Sequence, residues 1–123
     1  MSAFDHVDTM TRQRIWEGIH SRSVHGERMT LGVVELDPGA VAPEHRHPHE
    51  QFGLILSGSA VFRIGDETKE LGPGSTYVIP PNEPHTAEAG AEGTVLIDVF
   101  SPVREEWRAA EAAESAEPRW PAR

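Results

Sequence analysis

From Met29 to Phe100 the chain never runs far without a Gly- or Pro-containing turn, and that cadence constrains its fold more than any other feature. Met29-Thr30-Leu31-Gly32-Val33-Val34-Glu35-Leu36 is rich in β-formers and stops at Asp37-Pro38-Gly39. Further strands are expected at 52–56, 60–64, 67–71, 75–79, 85–89 and 94–100. The expected breaks are Ser57-Gly58-Ser59, Gly65-Asp66, Gly72-Pro73-Gly74, the loop Pro80-Pro81-Asn82-Glu83-Pro84, and Gly90-Ala91-Glu92-Gly93. Short strands with turns about every 8–12 residues fold as a sandwich or a barrel. A helical pattern starts only at Glu105, where Glu105 to Ser115 is rich in Ala and Glu and has Trp107 as its apolar anchor. This pattern implies one all-β domain over 1–104 and a short acidic helix and tail over 105–123, with the tail solvated and frayed after Pro118.

A chain of 123 residues can bury one core without cross-links. It has no cysteine, so a metal would have to be held by imidazole or oxygen. The N-terminal stretch lacks the apolar centre of a signal peptide, and no apolar run is long enough to span a bilayer. A cytoplasmic protein is therefore expected. The net charge of −9 argues against nucleic acid and anionic membrane as partners. Part of that excess is local, since residues 105–117 carry five glutamates against one arginine. A small anionic substrate remains compatible, provided arginines inside a cleft receive it.

The segment PEHRHPHEQFG, residues 43–53, sets His45, His47 and His49 on alternate positions, followed by Gln51. Side chains two apart share a face of an extended strand, so these residues point together if the chain stays extended through Pro48. By parity His49 rivals Gln51 as a ligand. His85 is a further candidate, because the prolines of the preceding loop pre-set its backbone. A second group lies in Thr94-Val95-Leu96-Ile97-Asp98-Val99-Phe100. Asp98 is either on a solvated face or in the interior, and its neighbours Leu96 and Phe100 point to the interior. An acid there must be paired or working, with its pKa raised by desolvation. Arg104, after Ser101-Pro102, either is solvated or folds back over the mouth of the domain. Trp16, Arg22, Arg63 and Tyr77 are expected to be packing or surface residues, although the first three could also line a cavity.

Gly39, five residues, His45-x-His47, three residues, Gln51, six residues and Gly58 together resemble the first cupin motif, with Gln in place of the usual Glu. Gly74 through Ile79-Pro80-Pro81-Asn82-x-Pro84-His85 resembles the second motif. It departs from that motif in carrying Ser75 after Gly74 and in lacking the asparagine four residues beyond the histidine. The resemblance covers 30–100 and implies a cupin barrel, that is, a jelly roll or double-stranded β-helix. It also implies His45, His47, Gln51 and His85 as ligands of one divalent transition metal ion, with His49 beside them. Zinc, nickel, iron(II) and manganese remain open. Three imidazoles and an amide leave the ion's charge uncompensated, which favours Lewis-acid chemistry without excluding oxygen chemistry.

HPHEQ, PGSxYVIPPNxPH and above all DVFSPxRE are similar to the pectin-degradation cupins, which convert 4,5-unsaturated monouronates to linear keto forms. That likeness implies Asp98 and Arg104 as catalytic, with Arg104 and Phe100 binding substrate. The alternatives are a cupin dioxygenase, a polyketide-cyclase-like enzyme, or a non-catalytic module that binds a small acid or sugar. Related cupins commonly pair through N-terminal strands, so a homodimer is expected, with 14–25 as the contact.

Overall fold

Two long strands organise the computed structural model, which describes residues 2–120. These are β5, Glu50–Ile64, and β8, His85–Ser101. They run antiparallel from the pair Glu50↔Ser101 to the pair Ile64↔His85. The remaining strands are β1 Gln13–Trp16, β2 Ile19–His25, β3 Thr30–Leu36, β4 Val41–His45, β6 Glu67–Leu71 and β7 Thr76–Ile79. One half of the barrel has the order β1-β2-β3-β8-β5-β7, and the other has β4-β8-β5-β6. The fold is an all-β barrel, and it ends in a short helix, α1, at Glu105–Arg108.

Two expected breaks are not breaks. Neither Ser57-Gly58-Ser59 nor the stretch 90–93 ends a strand, because each lies inside β5 or β8. Gly58 and Gly93 have φ of 74° and 78°, a left-handed conformation that Gly adopts without a Cβ penalty. A Cβ on Gly58 would lie 2.0 Å from the Gly93 carbonyl oxygen. The two strands therefore bend together at the Gly58↔Thr94 pair, with register shifts on either side, and pairing continues through the bend. In sequence a paired bend and a chain reversal look alike.

Strand alternation directs one face inward. Ile19, Val34, Leu36, Ile55, Phe62, Leu96 and Phe100 form the core with Tyr77 and Ile79. Phe52, Leu54 and Val78 point outward and are exposed.

The C-terminal segment differs most from expectation. Only one turn of the expected 105–115 helix forms, closed over Trp107, which is 4% exposed. Burying such a ring is worth about 1.5–3 kcal/mol, whereas a short helix with a single anchor gains little by continuing. The chain instead pairs with the free edge of β1 through a bridge between Gln13 and Ala112. It then crosses the outside of β2 and β3. There the ion pair of Arg22 and Glu35, 3.0 Å apart, is buried beneath it. Arg22 also donates to the Ala116 carbonyl at 2.7 Å, and the Arg119 backbone N–H donates to Glu35 at 2.8 Å. The tail as far as Arg119 is thus held by specific bonds rather than frayed. Arg22 faces this tail and not the cavity.

Candidate metal centre

His45, His47 and His85 arrive from three different places. His45 ends β4 and His85 begins β8, and the two are register partners. Their rings are 4.2 Å apart, centroid to centroid. His47 and His49 lie between β4 and β5, so the uninterrupted strand expected through 45–51 does not exist. The chain bends at Pro48 and His49, just beyond His47. The Asn82 backbone N–H donates to the His47 carbonyl at 2.7 Å, tying the proline-rich loop to that bend. Ligand-type nitrogens of the three histidines all lie within 4.8 Å of one another.

Each imidazole is oriented by the backbone. Nδ1 of His45, His47 and His85 bonds to the carbonyls of Pro43, His49 and Glu83 at 2.8, 3.2 and 2.8 Å. That contact selects the tautomer with a bare Nε2, the form a metal needs. Nε2 of His85 is buried and has no partner among the described residues. Burial lowers the pKa of all three histidines, to about 4 for His47 and His85. They are therefore neutral near pH 7. Converging, neutral and backbone-oriented, they can hold a divalent ion.

Gln51, the second residue of β5, pairs with Ile79 of β7 and Phe100 of β8 and points inward. Its Oε1 lies 3.0 Å from His47 Nε2. His49 is buried beside the cluster but outside the three-histidine group. Its carbonyl orients His47, and its Nε2 is 3.3 Å from the Val103 carbonyl.

Asp98 is buried and lines the cavity with Gln51, His45, His85 and Arg104. Burial raises its pKa to about 6, against hydrogen bonds from Tyr77 and Gln51 and the charge of Arg104. Arg104 is buried too. Its guanidinium lies over Phe100 at 4.7 Å and Trp107 at 5.0 Å, and its Nε donates to Glu106 at 2.9 Å. Its terminal nitrogens make no hydrogen bond within the described residues. The rest of the wall is largely apolar, and Phe62 and Leu96 contribute to it.

Of three further contributors, the sequence offered Trp16 as a possible cavity residue and did not signal the site roles of Trp107 and Tyr77. Trp16 lines the cavity 4.7 Å from the His45 ring. Trp107 anchors α1 and also walls the site. Tyr77 donates a 2.5 Å hydrogen bond to Asp98. Inward parity signals Tyr77, but no local pattern signals the partner. Arg63 pairs with Glu44 away from the cavity.

Comparison with known proteins agrees with this architecture. A cupin domain model matches residues 32–100. The pectin degradation protein KdgF of Dickeya dadantii (strain 3937) is 36% identical over 94 residues, which are 75% of this chain and 86% of that one. The structure of KdgF from Halomonas sp. superposes with a TM-score of 0.79 at 29% identity, covering 86% of this chain and 98% of the other. The polyketide cyclase RemF of Streptomyces resistomycificus superposes with a TM-score of 0.72 at 26% identity, over 83% and 80% of the two chains. A barrel with three converging histidines, matched by a domain model over more than half its length, makes this chain a member of the cupin family.

Proposed function

We propose that the protein is a metal-dependent enzyme that ring-opens and ketonises 4,5-unsaturated monouronates. The observation that carries this reading is the meeting of Asp98 and Arg104 in one cavity with Gln51, His45 and His85, two of the three converging histidines. The likeness to two KdgF proteins supports it. His45, His47, His85 and the Gln51 oxygen would hold the ion, which supplies Lewis-acid polarisation of a bound oxygen.

The rest falls to the chain's own groups. Arg104 presents a cation inside a largely apolar wall, and its planar fork matches the geometry of a carboxylate. Stacking on Phe100 and Trp107 fixes where that fork points. The substrate's unsaturated carbon must gain a proton as the ring-opened enol becomes a ketone. Asp98, protonated at mildly acidic pH, would give that proton to carbon and take back the one that the enol hydroxyl releases as it becomes the carbonyl. The apolar wall excludes bulk water from that transfer.

The test is anaerobic incubation of metal-loaded protein with a 4,5-unsaturated galacturonate, following the double-bond absorbance against an enzyme-free control. Oxygen-independent loss of absorbance that Asp98→Asn abolishes is the expected result. No enzyme-dependent loss would refute the activity. The likeness to RemF and the apolar cavity favour a second reading, a cyclase-like cupin acting on a less polar acid. That reading predicts no acceleration with the uronate.

A further inference from the structure

We propose that Tyr77 is a positioning residue for Asp98: its hydroxyl, reaching across Gly53, sets the rotamer of Asp98 and so decides which carboxyl oxygen faces a bound substrate. This rests on the reading above, in which Asp98 exchanges the proton. The register carries the argument. Gly53 on β5 is the partner of Tyr77 on β7 and equally of Asp98 on β8. Tyr77, Gly53 and Asp98 thus form one inward-facing row across three strands.

Residues on the outer strands of such a trio stand two strand spacings apart, roughly 9–10 Å, too far for direct contact over an ordinary side chain. Gly53 removes the obstacle. A Cβ there would lie 1.9 Å from Cζ of Tyr77 and 2.3 Å from its hydroxyl. The tyrosine ring therefore occupies the space that any other residue at 53 would fill. Phe62 holds the ring from one side at a centroid distance of 4.4 Å. The hydroxyl then meets Asp98 Oδ1 at 2.5 Å, with both residues buried. Gln51 lines the same cavity as Asp98 and its Oε1 lies 3.0 Å from Nε2 of His47, so the Tyr77–Asp98 pair borders the histidine cluster. A ring kept only for packing would need the missing Cβ but not the hydroxyl.

The decisive variant is Tyr77→Phe, which keeps the ring and so keeps the fold. With metal content and KM within about twofold of wild type, kcat is expected to fall roughly 10- to 100-fold, as a misplaced proton donor requires. A crystal structure of the zinc-loaded variant should show the Asp98 carboxyl turned from its wild-type position. Gly53→Ala keeps the hydroxyl but displaces the ring, and should reproduce the kcat loss wherever it folds. Unchanged kcat in Tyr77→Phe, or an Asp98 that keeps its position, overturns the proposal. If the wild-type protein does not turn over the uronate, the proposed activity falls. The position of Asp98 in the variant structure still decides the role of Tyr77.

Discussion

Oε1 of Gln51 lies 3.0 Å from Nε2 of His47, and the same side chain lines the cavity that holds the buried Asp98. One neutral side chain thus lies between the histidine cluster and the buried acid. A glutamate there would set a second carboxylate beside Asp98.

Gln51→Glu tests that placement. A carboxylate at 51 strengthens metal binding by adding charge, but it sets a like charge beside Asp98. Chelator competition should show tighter binding, and kcat should drop by roughly tenfold or more. Unchanged kcat would show that the amide's neutrality is irrelevant to turnover.

Metal capacity depends on three imidazoles kept neutral by burial. Because His47 and His85 titrate at about 4, protons displace the ion only near that pH and not near the ordinary value of 6.5. Zinc stoichiometry followed by mass spectrometry should hold at pH 6 and collapse around pH 4. His85→Ala should lose stoichiometric binding at pH 7 as well. The hydrophobic core contains none of the ligand residues, so chelation should leave the far-UV spectrum intact. Zinc at one hundred times its Kd should stabilise the fold by about 2.7 kcal/mol.

Asp98 predicts a stability difference with a definite sign. Its folded pKa of about 6 exceeds the ordinary 3.8, so the folded state binds the proton more tightly. Stability from this group is full below 3.8 and is lost as pH rises through about 6. A difference of that size corresponds to about 3 kcal/mol. Metal-free Asp98→Asn should be more stable than wild type at pH 8 by up to that amount, with the gap closing toward pH 4. Urea denaturation at the two pH values measures it, and a gap independent of pH would contradict the assignment.

The Arg22–Glu35 pair predicts what the tail contributes. Their side chains are 4% and 7% exposed beneath residues 116–119, so removing one partner strands a buried charge. Arg22→Met or Glu35→Gln alone should destabilise the fold by about 3–5 kcal/mol, and the double variant by clearly less. Truncation after Ala112 exposes both charges to water and should cost less than either single change. Denaturant midpoints order the four proteins.

Much of this was legible locally. The β-rich runs with their glycine and proline turns, the inward face of Leu96, Asp98 and Phe100, and the approach of the prolines to His85 follow from side-chain alternation and backbone restriction. Those are properties of a few consecutive residues. The motif spacings carried the family resemblance and, with it, the His45, His47, Gln51 and His85 set.

What the sequence could not reveal was decided by pairing. Gly58 and Gly93 read as turns because a positive φ is the same on the page whether the chain reverses or bends with a partner. The fate of the tail depended on an open β1 edge and a buried ion pair that lie far from it in sequence. Tyr77 looked like packing until register set it opposite Gly53, with Asp98 on the far side. Composition and spacing pointed to the kind of barrel and to the residues proposed for its chemistry. Only the three-dimensional register, acting across strands distant in the chain, decided which of those residues touch.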